Sequence, residues 1–400
     1  MGTGDTTKRA EVSRRAETLA EAGKRARIFV SMPVVPGVTP RILLDPTRSE
    51  LHENSDDERR HGSFAADEIG LPCFDHLVLY GDGCFEGILI TNGRIFLYKE
   101  HIDRFWASAR RIEIDIPYTP LELTEHILAV SREVDLAQVG GTGYIRLVLS
   151  RGLGDLGINP KKCVAPTVFS LTSTIRLYPR EMYETGIEIG LARRIRRPDG
   201  SILDPRIKSN NYLNNVLALL EGTRNTGTLE ALMLTREGFI AEATVDNFFV
   251  IERHAGWERD PAKITVLTPR RAYCLNGVTR ALILKFAREA GYRVNEEADI
   301  LPNEVVGPDR ECFMTGTGAG VMPIIKVAGV QVGDGRPGPI SMGLIERVRA
   351  AQARPDTGLS LTAKRAEIEA YLGGPGTLAE ECALYRREAS RPVAPSPEYA

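Results

Sequence analysis

Asp204-Pro205-Arg206-Ile207-Lys208-Ser209-Asn210-Asn211-Tyr212 and, 34 residues after its lysine, Glu242-Ala243-Thr244-Val245-Asp246-Asn247-Phe248-Phe249 decide how this chain is read. Lys208 precedes a helical pattern with Leu213, Val216, Leu217 and Leu220 on one face and Gly227 as its stop. Tyr212 lies one turn beyond Lys208, so amine and phenol can face the same cavity. Beside apolar walls an amine loses its proton more readily and attacks an aldehyde. Glu242 alone would read as an outward-facing strand residue, but the Glu242-x-Thr244-x-x-Asn247 pattern makes it a carboxylate able to hold a pyridinium nitrogen. An imine-forming lysine followed by such a carboxylate is the minimum kit for pyridoxal phosphate chemistry.

Working outward, Ile187–Leu191, two short runs flanking Arg236-Glu237-Gly238, and Ile264–Leu267 ending at Thr268-Pro269 read as strands. A helix is expected from about Val278 to Ala290, with Gly291 at its end. Upstream, Leu77–Tyr80 leads into Gly81-Asp82-Gly83 and then Phe85–Ile90, and Asn92-Gly93 predicts a hairpin turn before Ile95–Tyr98. Ile102, Phe105, Ala109 and Ile112 form a helical stripe, a second helix is expected over 121–136, and Tyr144–Leu149 and Thr167–Leu171 read as strands.

The expected organisation is therefore α+β in two domains. A small α+β domain spans 64–175, and a larger strand-rich, barrel-like domain spans 176–340. Residues 1–63 read as a partly mobile extension: Val12, Ala16, Leu19 and Ala20 fall at helical spacing, and 45–62 reads as an exposed charged loop. Residues 341–400 read as a C-terminal extension whose proline-bearing end, 391–399, is expected to be disordered.

The composition is that of a globular chain, 42% hydrophobic and 26% charged, with a net charge of −2 that offers no general pull toward nucleic acid or an anionic membrane. No run approaches the roughly 18 apolar residues of a membrane span. The first residues carry no apolar signal core, and Glu11, Glu17 and Glu21 argue against a transit peptide. Six cysteines lack any CxxC or zinc-like spacing and read as reduced cytoplasmic thiols; Cys84 reads as a buried structural thiol rather than a nucleophile. No metal site is expected. Gly316-x-Gly318-x-Gly320 fails the dinucleotide-loop spacing, which disfavours a nicotinamide oxidoreductase.

Glu242-x-Thr244-x-x-Asn247-Phe248-Phe249, Val266-x-Thr268 and Leu275-x-Gly277-Val278-x-Arg280 together resemble the signature of the class IV pyridoxal-phosphate aminotransferases. That family holds branched-chain and D-amino acid aminotransferases and aminodeoxychorismate lyase. The resemblance runs from Tyr80-Gly81-Asp82-Gly83-Cys84-Phe85-Glu86-Gly87 through Glu100-His101-Ile102-Asp103-Arg104 and Tyr144-Ile145-Arg146 to Thr315-Gly316-Thr317-Gly318-Ala319, covering about residues 70–335. One departure is a longer stretch between Phe249 and Val266, read as a surface hairpin extension around Arg253–Arg259.

The resemblance implies that the cofactor lies between the two domains and that Lys208 anchors it as a Schiff base and shuttles the proton. It implies that Glu242 pairs with the ring nitrogen, Tyr212 with the phenolate oxygen, and Arg104, Val278, Thr279 and Thr317 with the phosphate, while Leu275 packs on the ring. It further implies a homodimer, with an amino acid and a 2-oxo acid as small-molecule partners. Tyr80, Phe85, Tyr144 and Arg146, with the Gly318 backbone, look like the branched-chain arrangement for an α-carboxylate. Arg151, in Leu149-Ser150-Arg151-Gly152, falls where D-specific members place their carboxylate-binding arginine, and Lys208-Ser209-Asn210-Asn211-Tyr212 is closer to their form. The readings left open are a branched-chain L-aminotransferase, a D-amino acid transaminase or lyase on the same scaffold, and, remotely, a non-catalytic member.

Overall fold

The computed structural model describes residues 3–136, 141–174, 178–383 and 385, without the side chains of 3–10, 12, 14 and 19. The expected tail at 391–399 lies outside the described residues, as do the side chains of Val12 and Leu19. The chain divides into two compact units. One comprises residues 1–96, 112–175 and 359–374, the other 97–111, 176–358 and 375–400.

The first unit is built on an eight-stranded sheet in the order Gly358–Ser360, Arg94–Phe96, Gly83–Thr91, Gly143–Ser150, Thr167–Ser173, Arg27–Pro33, Arg59–Ala65 and Glu50–Leu51. The Asn92-Gly93 turn joins its strands as the sequence leads one to expect, with Thr91 opposite Arg94. Gly83–Thr91 and Gly143–Ser150 pair antiparallel along their length, Gly87 opposite Arg146. The helix Pro120–Arg132 opens on a capping box between Thr119 and Glu122, a device that stabilises a helix start by about 1 kcal/mol. It ends four residues short of the expected 136.

The amino-terminal reading needs correction. Arg27–Pro33 is an interior strand, flanked by Thr167–Ser173 and Arg59–Ala65, so the folded part does not begin at Phe64. The stretch 45–62 is not simply an exposed loop, since Arg59 opens a strand and is 1% exposed. Its charge is carried inside by Asp57 (3.0 Å) and the Pro166 carbonyl (2.6 Å), which is why a charged run hides a strand. The region before it folds as the helix Thr3–Arg25.

The second unit carries a nine-stranded mixed sheet, ordered Ile240–Ala243, Ala231–Leu234, Ile187–Arg196, Gly320–Val327, Arg310–Gly316, Asn247–Arg253, Ile264–Pro269 and Arg293–Ala298, with Val330–Gln331 paired to Gly320–Val327. The sheet curls, because Ile240 N–H at one edge donates to the Ile300 carbonyl just beyond the other (2.8 Å). Ile189, Leu232, Ile240, Phe248, Met314 and Met322 fill its core, each buried completely. Burying a side chain of that size contributes roughly 1.5–3 kcal/mol.

Two helices are crossovers between neighbouring parallel strands. Leu213–Thr223 joins Ile187–Arg196 to Ala231–Leu234, and Val278–Glu289 joins Ile264–Pro269 to Arg293–Ala298. Each crossover helix starts just past the carboxyl end of a strand, where ligand-binding loops of parallel sheets gather. The first ends at Thr223 rather than Gly227 and leaves Leu213, Val216, Leu217 and Leu220 exposed. The insert after Arg253 is a hairpin excursion between two antiparallel strands.

Two segments sit elsewhere than the expected domain limits. The helix Tyr98–Arg111, with Ile102, Phe105 and Ala109 buried as its stripe requires, belongs to the second unit. The extension after 340 is folded: Leu344, Ile345 and Val348 of the helix Pro339–Ala353 are buried, Gly358–Ser360 is a sheet edge, and Leu378 N–H caps the buried Glu100 carboxylate (2.9 Å). All six cysteines are free, and Cys84 is buried with its thiol pushed far up by burial. Among the described residues no helix is long and apolar enough to cross a membrane, and no group of three or more side chains could hold a metal ion.

Candidate active site

The loop that carries Lys208 is pinned at two points to the helix Tyr98–Arg111. Asp204 accepts from Arg206 N–H (2.9 Å) and pairs with Arg111, while Lys208 N–H donates to Ser108 Oγ (3.3 Å). The half-buried Lys208 amine then lies 3.4 Å from the Tyr212 hydroxyl, and Tyr212 is the residue on which the crossover helix starts. Lysine and phenol do meet.

Glu242 is 5% exposed, so the outward-facing reading fails. Its Oε1 pairs with Arg197 Nε (2.7 Å), and its Oε2 accepts from Leu275 N–H (3.0 Å) and Asn247 Nδ2 (3.2 Å). A carboxylate offers about four acceptor positions, so three bonds leave room for one more donor. The motif's other members hold this arrangement in place. Thr244 donates its N–H (3.1 Å) and hydroxyl to Glu230, and Asn247 also donates to the Leu275 carbonyl (2.8 Å).

Arg104 is 2% exposed, and its Nη1 donates to the Asn276 carbonyl (3.0 Å), two residues before Val278. The helix Val278–Glu289 starts on Gly277 without a side-chain cap, so its first N–H groups are not taken by a capping side chain. A Cβ on Gly277 would stand 2.0 Å from Asn247 Oδ1, so only glycine fits there. A buried guanidinium beside an uncapped helix start suits a phosphate dianion. Val278 and Thr279 are buried in that first turn, and Leu275 lies half-buried beside it. Thr317 and Gly318 sit half-buried in the turn between Arg310–Gly316 and Gly320–Val327. Amine, phenol, carboxylate and phosphate cradle all belong to the second unit, and they suit the corresponding groups of pyridoxal phosphate.

Two buried acids here were not anticipated. Asp246 is pushed up to about 7, first by burial and then by Glu230, with Lys208 pulling the other way. Burial also raises Glu230 against its bonds from Thr244 and Ala231. Arg197 was missed as well, because it closes the run Arg193-Arg194-Ile195-Arg196-Arg197, which reads as a solvated face. The strand's pairing shifts register between Ala192 and Arg196, just before Arg197, and the run itself carries no sequence signal of this.

The remaining expected residues belong to the first unit. Arg146 stacks over the Phe85 ring at 4.5 Å and stands 5.7 Å from the Tyr144 ring. Gly87, opposite Arg146, makes room for Tyr144: a Cβ there would fall 1.8 Å from its hydroxyl. Phe85, Tyr144 and Arg146 are thus brought together on one sheet face. Tyr80 is turned elsewhere, its hydroxyl donating to the Leu156 carbonyl. Arg151 grips Asp82 with two nitrogens (2.6 and 3.1 Å) and also donates to the Ile112 (2.7 Å) and Glu113 (3.1 Å) carbonyls.

Comparison with known proteins agrees with this chemistry. Residues 83–327 match the amino-transferase class IV family. A Methanocaldococcus jannaschii protein provisionally named a branched-chain-amino-acid aminotransferase is 38% identical over 69% of this chain and 89% of its own. The D-alanine aminotransferase of Listeria monocytogenes is 33% identical over 66% of this chain and 85% of its own. The crystal structure of a T.th. branched-chain amino acid aminotransferase with pyridoxamine 5'-phosphate superposes with a TM-score of 0.64 at 28% identity, covering 74% of this chain and 94% of that one. The chain belongs to the class IV aminotransferases and is a pyridoxal-phosphate-dependent enzyme.

Proposed function

We propose that this aminotransferase takes its amino group from a branched-chain L-amino acid and delivers it to a 2-oxo acid, the first keto acid leaving before the second enters. The observation that carries the choice is Arg151. Its guanidinium is committed to Asp82 and two backbone carbonyls, so it offers a D-substrate's carboxylate little that is not already in use. Arg146 instead stands over Phe85 and beside Tyr144, a cation set among aromatic faces that suits a carboxylate attached to an apolar side chain.

Bound pyridoxal phosphate supplies the electron sink that makes the donor's Cα–H acidic. Lys208 would anchor the cofactor and would take and return the proton at the donor's Cα. Tyr212, 3.4 Å from that amine, donates to the cofactor's phenolate oxygen. Glu242, with one acceptor position left beside its three bonds, would accept from the ring nitrogen, and Leu275 would pack on the ring. Arg104, the N–H groups of Val278 and Thr279, and the Thr317 hydroxyl hold the phosphate. Arg146 would take the substrate carboxylate, with Phe85 and Tyr144 against its side chain.

The enzyme works as a homodimer in the cytoplasm, where free thiols such as its six persist. A second copy would cover Leu213, Val216, Leu217 and Leu220, an apolar face that a lone chain leaves in water.

Keto-acid production from L-leucine, L-isoleucine, L-valine and D-alanine, each with 2-oxoglutarate as acceptor, tests the reading. Turnover of the three L-donors well above D-alanine is expected. Preference for D-alanine would replace this reading with the D-specific one, which the Listeria relative's similarity keeps in view.

A further inference from the structure

We propose that Arg197 is a positioning residue that keeps the shared proton on the cofactor's ring nitrogen rather than on Glu242. The inference rests on the reading above, in which Glu242 accepts from that nitrogen.

The geometry is specific. Arg197 follows directly on the strand Ile187–Arg196, and its backbone N–H donates to the Leu234 carbonyl (2.9 Å), which continues the pairing of that strand past the register shift. That anchor brings Nε to 2.7 Å from Glu242 Oε1, with the two side chains only 9% and 6% exposed. A buried ion pair stays charged only when both partners are held, and removing one leaves the other to neutralise. Oε1 is taken by the guanidinium, so the carboxylate's orientation is set before any ligand arrives.

The surroundings show why a cation is needed at this point. Three buried carboxyls face one another: Glu230, Glu242 and Asp246. Burial pushes Glu230 and Asp246 toward the protonated form, and each also feels the negative charge of Glu242. Lys208 offsets Asp246. Cys274, which also feels Glu242 and Arg197, is held as a thiol by burial. Glu242 is the member of the acid trio that owns an arginine. Two of the acids are pushed toward neutrality by burial, and the third is the one that Arg197 grips at 2.7 Å.

A single proton lies between Glu242 and the ring nitrogen, and it can rest on either. With Arg197 present the carboxylate is the poorer base, so the proton stays on nitrogen and the ring carries the charge that draws electrons from the substrate carbanion. Without Arg197 the carboxylate's charge loses its partner inside a dry site, and the proton moves to oxygen. The nitrogen becomes neutral and the electron sink weakens. No bond other than N–H and O–H changes in this exchange.

The direct readout is the 15N NMR signal of holoenzyme reconstituted with pyridoxal phosphate labelled at the ring nitrogen, measured for wild type, Glu242→Gln, Arg197→Met, Arg197→Gln and Arg197→Lys. The expected result is a protonated nitrogen in wild type, a move toward the neutral position in Glu242→Gln, and the same direction of movement in Arg197→Met and Arg197→Gln, with Arg197→Lys between them and wild type. The kcat of the Met and Gln variants should fall at least about tenfold with the donor KM little changed, as for a group that acts on the reacting state rather than on binding. A Glu242→Gln shift with no shift in either neutral Arg197 variant would overturn the proposal while leaving the Glu242 role intact. A nitrogen that ignores Glu242→Gln would overturn the underlying reading, and this inference with it. If one neutral variant fails to fold, the other and Arg197→Lys still decide the matter, because the signal is read only from protein that binds cofactor.

Discussion

At the residue scale, the chemistry rests on side chains whose partners leave them one task each. Lys208 and Tyr212 were legible in the sequence as an amine and a phenol four positions apart before a helix, and the loop pinned to Ser108 brings them to 3.4 Å. Glu242 was legible through its motif, but its partner Arg197 was not, since one inward guanidinium among four arginines in five residues has no local signature. Asp246 was equally invisible: its shift to about 7 arises from burial beside Glu230, residues that are distant in the chain and close only in the fold. The expectations for Tyr80 and Arg151 meet competing partners, Leu156 and Asp82, which no spacing rule reveals. At this scale Glu242→Gln should lower kcat by about tenfold or more while the cofactor remains bound, because the phosphate contacts of Arg104 and the Val278 helix start survive. Steady-state kinetics set beside cofactor retention after dialysis checks it; equal loss of both would contradict the division of roles.

At the element scale, strongly periodic segments declared themselves. The hairpin at Asn92-Gly93, the stripe on Tyr98–Arg111 and the helix Val278–Glu289 are elements whose local pattern and tertiary environment agree. The strands Arg27–Pro33 and Arg59–Ala65 did not, because buried polar residues break the alternation by which a strand is recognised. That same segment carries a testable pH response. The imidazoles of His52, His61 and His126 cluster with Tyr118 and Phe29: His126 stacks on Phe29 at 4.3 Å, His61 lies 4.6 Å from His126, and His61 Nδ1 is 2.9 Å from the Tyr118 hydroxyl. Burial is the first cause that lowers all three, His126 to about 4, outweighing the opposing pull of Glu50, Asp57 and Glu122; Arg59 works with burial on His52 and His61.

Folded histidines held neutral bind fewer protons than unfolded ones between about pH 6.5 and 4. Stability is therefore full above about 6.5, falls as pH drops through that window, and levels off below about 4. For His126 the loss amounts to roughly 3 kcal/mol. Thermal unfolding at pH 7 and pH 5 should show the acid loss in wild type and a smaller one in His126→Phe, which keeps the stack on Phe29 and removes the titration. An identical pH slope in the variant would show that other groups govern it.

At the scale of the whole molecule, the proposed dimer accounts for an apolar helix face that the fold of one chain does not bury. Leu213, Val216, Leu217 and Leu220 are 71%, 50%, 43% and 56% exposed, on the helix that begins immediately after Tyr212. Their helical spacing was legible, yet the same spacing marks a buried face within the chain and a face awaiting a second copy, so sequence alone could not distinguish the two. Leu217→Glu should weaken self-association by well over tenfold, as a charge placed in a buried apolar contact does. Sedimentation velocity checks this, and an unchanged dimer would place the interface on another surface. In the proposed function Lys208, its amine 3.4 Å from the Tyr212 hydroxyl, is the residue on which everything else depends. The deciding measurement is the visible absorption spectrum of protein purified with pyridoxal phosphate, wild type and Lys208→Ala, before and after L-leucine or D-alanine. The account predicts a yellow lysine-bound band in wild type that bleaches with L-leucine and not with D-alanine, and no such band or turnover in Lys208→Ala. A band that survives the loss of Lys208, or that answers only to D-alanine, would contradict it.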